Sequence, residues 1–201
     1  MTAEPRPPRI GSPANLLGLV RIGLTPVVIA LMFVQQPGFG LLAAIVFAVA
    51  AFTDYLDGLV ARRRGEVSAL GVFMDLTADK VLVGGVLIAM VEVALLPTWI
   101  VATIVVRELV IAGIRQAAAA ANVVIAARPL GKAKTAATLA GMTILLLAYD
   151  AMTGGPMEAT GLAETLEAVG FWTMVVATVL TVVSGWDYLR GAMPLLQGRT
   201  T

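Results

Sequence analysis

Residues 41–90 read LLAAIVFAVAAFTDYLDGLVARRRGEVSALGVFMDLTADKVLVGGVLIAM. Two apolar runs flank a short basic cluster, Arg62-Arg63-Arg64, and carboxylates stand near the cluster on both sides. Neither run alternates polar and apolar residues as an outer-membrane strand does, so both read as helices. Each is about 20 residues long, the length that crosses the hydrocarbon core of a bilayer. The stretch therefore predicts two membrane helices joined by a tight basic turn, with acidic groups where lipid should tolerate none.

The rest of the chain repeats this pattern. Apolar stretches recur at Leu16–Val34, Leu41–Val60, Leu70–Val91, Thr98–Ala119, Ala133–Ala148 and Leu166–Leu189. Between them fall Gln35-Gln36-Pro37-Gly38, the arginine cluster, Leu96-Pro97, Arg128-Pro129 and Thr153-Gly154-Gly155-Pro156, all turn-forming or charged. An all-α integral membrane protein of six transmembrane helices is expected, as a single domain over residues 1–201. The Pro-rich start, Met1 to Ser12, reads as a short cytoplasmic or interfacial arm. The apolar run after it is long, holds Arg21 and lacks an A-x-A-like exit, which argues against a cleaved signal peptide.

Composition narrows the function classes. The 201 residues are 59% hydrophobic and only 13% charged, about half the charge of a soluble domain. Mean hydropathy is +0.91, the opposite of a disordered chain. With 14 Lys+Arg against 13 Asp+Glu, no global field points to nucleic acid. The chain has no Cys and no His, so any metal must be held by oxygen ligands, which favours Mg²⁺, Mn²⁺ or Ca²⁺ over zinc.

Charge also orients the helices. Arg6, Arg9, Arg62 to Arg64, Arg128, Lys132, Lys134 and Arg199 fall on one side of a six-span arrangement. The other side, around residues 35–40, 92–97 and 150–165, carries Glu92, Asp150, Glu158 and Glu164 but no Lys or Arg. This positive-inside asymmetry predicts a multi-pass cell-membrane protein with both termini and the 61–69 and 120–134 connections in the cytoplasm.

Charges inside a bilayer mark function unless they are paired or hydrated. Here they include Arg21, Asp54, Asp57, Asp75, Asp79, Lys80, Arg107, Glu108, Arg115, Asp187 and Arg190. Asp54 and Asp57 are three apart, and Asp75 and Asp79 four apart, so each pair shares a helical face. Four clustered carboxylates need protons or cations to coexist in low dielectric. Their neighbours favour divalent metal. Gly58 lets a substrate approach the helix backbone, Ala61 keeps the same face open one turn later, and Arg62 can grip phosphate with a fork of N–H groups. Carboxylates, clearance and an arginine together fit a metal-bridged diphosphate.

These residues spell D-x2-D-G-x2-A-R-x8-G-x3-D-x3-D from Asp54 to Asp79. With eight specified positions, the chain resembles the signature of the CDP-alcohol phosphotransferases. Asn15-Leu16-Leu17-Gly18-Leu19-Val20-Arg21 is similar to the N-L-L-T-x-x-R start of that family's first helix, with Gly18 where Thr is frequent. Arg107-Glu108-Leu109 and Gly131-Lys132-Ala133-Lys134-Thr135 resemble segments of its phosphatidylglycerophosphate synthase branch. Leu76 stands where the family often has Pro.

The resemblance implies roles. Asp54, Asp57 and Asp75 would hold two divalent cations, Mg²⁺ or Mn²⁺, with Asp79 joining as ligand and serving as general base. Asn15, Gly58, Ala61, Arg62, Ser68 and Gly71 would contact CDP-diacylglycerol. Arg107, Arg115, Lys132 and Lys134 would bind the phosphate of the acceptor, although Lys132 and Lys134 also fit ordinary positive-inside residues and Arg107–Glu108 also fits helix packing. The implied reaction moves a phosphatidyl group from CDP-diacylglycerol to glycerol 3-phosphate, among membrane lipids and in a homodimer. The rival acceptor is inositol phosphate. More remote readings are a membrane prenyltransferase, whose Asp motifs should lie farther apart than the 26 residues spanned here, and an ion or proton transporter, which would not require Gly58, Ala61 and Arg62.

Overall fold

The computed structural model of the chain describes the backbone of residues 13–64, 69–120 and 129–196, and the side chains of 17–53, 77–118 and 129–193. Among the described residues six α-helices follow one another: α1 (Pro13–Phe33), α2 (Phe39–Arg64), α3 (Ala69–Glu92), α4 (Thr98–Ala120), α5 (Pro129–Met152) and α6 (Ala163–Leu196). A 3-10 turn, Pro156–Thr160, sits between α5 and α6. Among the described residues there is no strand.

The turn chemistry explains the breaks. Between α1 and α2, Pro37 cannot continue a helix, and Gln35 (φ 50°) and Gly38 (φ 85°) take left-handed backbone. At the end of α3, Ala94 is left-handed (φ 59°). There the Leu95 N–H donates to Met90 O at 2.9 Å and the Ala94 N–H to Val91 O at 3.1 Å. This is the paired closure of a Schellman motif, built on Ala where Gly is usual.

Packing is dominated by the antiparallel pair α5 and α6, with α1 against both α2 and α3, α2 against α5, and α4 against α6. Small residues bring the backbones together. A Cβ on Gly141 would lie 2.8 Å from Met174 Sδ, and one on Gly170 would lie 2.8 Å from Leu145 Cγ. The core is a continuous cluster that includes Met32, Phe47, Leu87, Ile104, Leu146 and Met174. Tyr149 ties α5 to α1 by donating its hydroxyl to Met32 O at 2.8 Å.

One carboxylate organises the end of the bundle where α2 starts and α5 stops. Asp150 is fully buried. Its Oδ1 accepts the Leu41 N–H at 2.8 Å and its Oδ2 the Met157 N–H at 3.0 Å. Both donors lie in first turns, of α2 and of the 3-10 turn, where N–H groups lack an intrahelical acceptor. An acid also suits the positive end of a helix dipole. Gly40 and Gly155 make room: a Cβ on Gly40 would stand 2.6 Å from Asp150 Cα, and one on Gly155 would overlap the carboxylate.

The outer surface is apolar. Phe52, Ile88, Leu109 and Trp172 are each more than 60% exposed, a pattern foreign to a water-soluble monomer. By length and composition α5 and the Ala163–Met193 part of α6 can cross a membrane, while Leu17–Phe33 and Phe39–Thr53 are shorter apolar runs. The all-helical expectation therefore holds, and two of the helices have a membrane-spanning character among the described residues.

Candidate functional site

A cavity of about 70 Å³ lies between α3, α4 and α5. Helical spacing builds its walls. Asp79, Lys80, Val83, Gly84 and Leu87 form one stripe of α3, Ile104, Val105, Glu108 and Leu109 one stripe of α4, and Lys134, Thr135, Thr138 and Leu139 one stripe of α5. α3 and α5 run one way and α4 the other, so the charged residues gather at one end and the apolar ones continue inward. From Asp79 to Leu87 the lining extends about 12 Å along α3 at 1.5 Å per residue.

At the polar end, Lys134 is only 6% exposed. Its ammonium donates to Glu108 Oε1. The same oxygen accepts Arg107 Nη1 at 2.9 Å. Arg107 then reaches α6, where its Nη2 donates to Ser184 Oγ at 3.0 Å, and Ser184 Oγ donates to Thr181 O at 3.3 Å. Gly185 permits this approach, since a Cβ there would lie 3.1 Å from Arg107 Cγ and 3.2 Å from its Nε. A polar chain thus runs from α6 through α4 to the cavity wall on α5. Asp79 stands across from it, in the fields of Lys80, Glu108, Arg21 and Lys134. Arg21 is itself buried in α1.

Of the residues given site roles from the sequence, Asp79 and Lys134 meet at this cavity, together with Lys80 and Glu108, which the sequence marks as intramembrane charges. Arg107 does not line it but stands behind Glu108, which it shares with Lys134 as ion-pair partner. Arg115 is elsewhere, its guanidinium 5.3 Å from the centroid of the Tyr188 ring, and Lys132 is exposed at the start of α5. Asp54, Asp57, Gly58, Ala61 and Arg62 belong to α2, Gly71 and Asp75 to α3, and Asn15 to α1. Their side-chain positions fall outside the described residues, as does all of Ser68. Among the described residues no three acidic groups come together as a metal site.

Glu108 and Ser184 were missed as site residues. Glu108 stands out in the sequence as an intramembrane charge beside Arg107, but its role does not, because its second partner lies 26 residues away on another helix. Ser184 gives no local signal at all, being an ordinary small residue in an apolar helix 77 residues from Arg107.

Comparison with known proteins gives this geometry a context. The family model described as CDP-alcohol phosphatidyltransferase matches residues 12–183. The chain is 35% identical over 186 residues to the CDP-diacylglycerol–glycerol-3-phosphate 3-phosphatidyltransferase of Bacillus subtilis (strain 168), covering 87% of this chain and 91% of that one. It is 33% identical over 188 residues to a probable phosphatidylglycerophosphate synthase of Mycobacterium tuberculosis, covering 92% and 83%. It is also 30% identical over 161 residues to a cardiolipin synthase (CMP-forming) of rice, covering 73% and 49%. With a family model spanning most of its length and the D-x2-D-G-x2-A-R-x8-G-x3-D-x3-D pattern intact, the chain belongs to the CDP-alcohol phosphatidyltransferase family.

Proposed function

We propose that this protein transfers the phosphatidyl group of CDP-diacylglycerol to glycerol 3-phosphate, releasing CMP and forming phosphatidylglycerol phosphate. The observation that carries the reading is the cavity in which the last aspartate of the signature, Asp79, faces a buried lysine, Lys134. A base for a hydroxyl and a cation for a phosphate are what a phosphorylated alcohol needs at one site. The names of the bacterial relatives support the same pair of substrates.

In this reading Asp79 accepts the proton of the acceptor's primary hydroxyl. The hydroxyl oxygen bonds to the β-phosphorus attached to the diacylglycerol, and the bond from that phosphorus to the CMP oxygen breaks. Lys134 holds the acceptor's phosphate, and Arg107, Arg115 and Lys132 add to the positive field around it. Asn15, Gly58, Ala61, Arg62, Ser68 and Gly71 hold the CDP moiety. Asp54, Asp57, Asp75 and Asp79 would hold Mg²⁺ or Mn²⁺, which suits a donor set of oxygen alone and supplies neutralisation of the diphosphate charge.

The membrane setting belongs to the proposal. Six crossings, with the termini and site on the cytoplasmic side, keep the acyl chains in lipid while the acceptor arrives from water. The apolar outer faces and the positive-inside charge pattern support it. A homodimer completes the reading.

The test is an acceptor screen on purified protein with CDP-diacylglycerol, following CMP release. Glycerol 3-phosphate should be the acceptor used. Turnover of inositol phosphate with refusal of glycerol 3-phosphate would place the chain in another branch of the same chemistry.

A further inference from the structure

An acid is out of place in a pocket meant for a dianion. Glu108 lines the same cavity as Lys134 and is about one-quarter exposed, so it stands close to wherever an acceptor phosphate would lie. By simple charge it should repel that phosphate. Its contacts point to a different role. One oxygen, Oε1, takes both Lys134 Nζ and Arg107 Nη1, and Arg107 is pinned from behind by Ser184. The four residues sit on three helices, Arg107 and Glu108 on α4, Lys134 on α5 and Ser184 on α6.

Two physical facts give the arrangement meaning. A lysine stem carries about 2 kcal/mol of rotamer entropy, so a free Lys134 would sample several positions in the cavity. Without an acid between them, Lys134 and Arg107 would also repel each other. Glu108 removes both difficulties. It uses one of the three ammonium donors of Lys134 and leaves two for a ligand. Arg107, with Nη1 on Glu108 and Nη2 on Ser184, serves as the fixed anchor of Glu108.

We infer that Glu108 is a positioning residue that holds the Lys134 ammonium at the cavity wall, anchored through Arg107 to Ser184, so that the site is preset for the phosphate of the acceptor. The inference rests on the reading of Lys134 as the acceptor-phosphate contact. It differs from the opposite device, a latch in which Glu108 occupies the lysine until phosphate displaces it. Removing a latch lowers the acceptor KM, whereas removing a positioning residue raises it.

The experiment measures both KM values and kcat for wild type, Glu108→Ala, Glu108→Gln, Lys134→Ala and the Glu108→Ala/Lys134→Ala double variant. Each variant is first checked for monodispersity in detergent and for its thermal midpoint. Glu108→Ala should raise the KM for glycerol 3-phosphate about 10- to 100-fold, the scale of a hydrogen bond to a charged group. The KM for CDP-diacylglycerol should stay within about twofold. Glu108→Gln keeps a carbonyl Oε1 but not the charge between Lys134 and Arg107, and should recover part of the loss. The double variant should be no worse in acceptor KM than Lys134→Ala. An unchanged or lower acceptor KM in Glu108→Ala, equal shifts for both substrates, or multiplying losses in the double variant would each overturn the inference. If Lys134→Ala itself leaves the acceptor KM unchanged, the acceptor-site reading fails and takes this inference with it. If Lys134→Ala raises it and Glu108→Ala does not, only the role of Glu108 is refuted.

Discussion

Replacing Asp150 by Ala should destabilise the bundle without touching the chemistry. The carboxylate is fully buried and is the acceptor for two backbone N–H groups, of Leu41 at 2.8 Å and of Met157 at 3.0 Å. A buried donor left without a partner costs about 1–3 kcal/mol, so the loss should total about 2–6 kcal/mol. For a chain of this size each kcal/mol moves the thermal midpoint by roughly 2–4 °C, which puts the shift on the order of 5–20 °C. Asp150→Asn provides the graded control. Its single amide oxygen can serve one of the two donors, and its NH₂ faces the other, so about half the shift should remain. Intrinsic tryptophan fluorescence of detergent-solubilised protein reads the midpoint, and CMP release at 20 °C reads the activity. Asp150 lies 16 residues along α5 from Lys134, about 24 Å, so kcat/KM should stay within about twofold. A midpoint for Asp150→Ala within 2 °C of wild type would mean that Leu41 and Met157 find other acceptors, and the capping argument would fall. So would equal shifts for the Ala and Asn variants, since the graded count of acceptors would then be irrelevant.

Two further outcomes follow from the site. Asp79→Asn removes a proton acceptor with little change in size and should lower kcat by about 10²–10⁴-fold while CDP-diacylglycerol still binds; loss of that binding with no separate effect on turnover would make Asp79 chiefly a ligand-holding group. Asp54→Ala or Asp75→Ala should abolish CMP release in a protein that still elutes as a folded species, and chelation with EDTA should do the same reversibly; full activity after thorough chelation would refute the divalent-cation reading.

The helices were legible in the sequence because apolar runs and turn residues report on local structure. The run Thr98–Ala119 matches α4 (Thr98–Ala120), and Leu70–Val91 matches α3 (Ala69–Glu92). The largest difference is at the end of α6, where Leu166–Leu189 extends to Leu196. Arg190 ends the apolar run there without ending the helix, because its long stem lets the guanidinium lie over the Trp186 ring, 5.1 Å from its centroid. The 3-10 turn Pro156–Thr160 escaped notice, since Gly154-Gly155-Pro156 announces a turn but not its type.

Of the site, what one motif carries was legible and what two helices share was not. The signature identified Asp79, and Lys134, which lines the same cavity, was identified from a second segment. Nothing in either stretch revealed that Glu108 would join Lys134 to Arg107, because that contact exists only once the folded bundle brings the side chains of α4 and α5 within reach. Asp150 was read as one more acidic residue on the side poor in cations. Its burial depends on Gly40, 110 positions earlier, and on Gly155, five positions later.

The pairing of helices sets an order on biosynthesis. A ribosome delivers α1, α2 and α3 first, and these already pack on one another through α1. By Glu92 the nascent chain has made all four aspartates of the signature. It has not made Arg107, Lys134 or Asp150. Membrane insertion must therefore carry the signature's four carboxylates before the cations of α4 and α5 exist, and the first turn of α2 must wait for a carboxylate 109 residues downstream of Leu41. A chain arrested before α5 has the whole signature motif and neither the acceptor wall nor the cap that finishes α2.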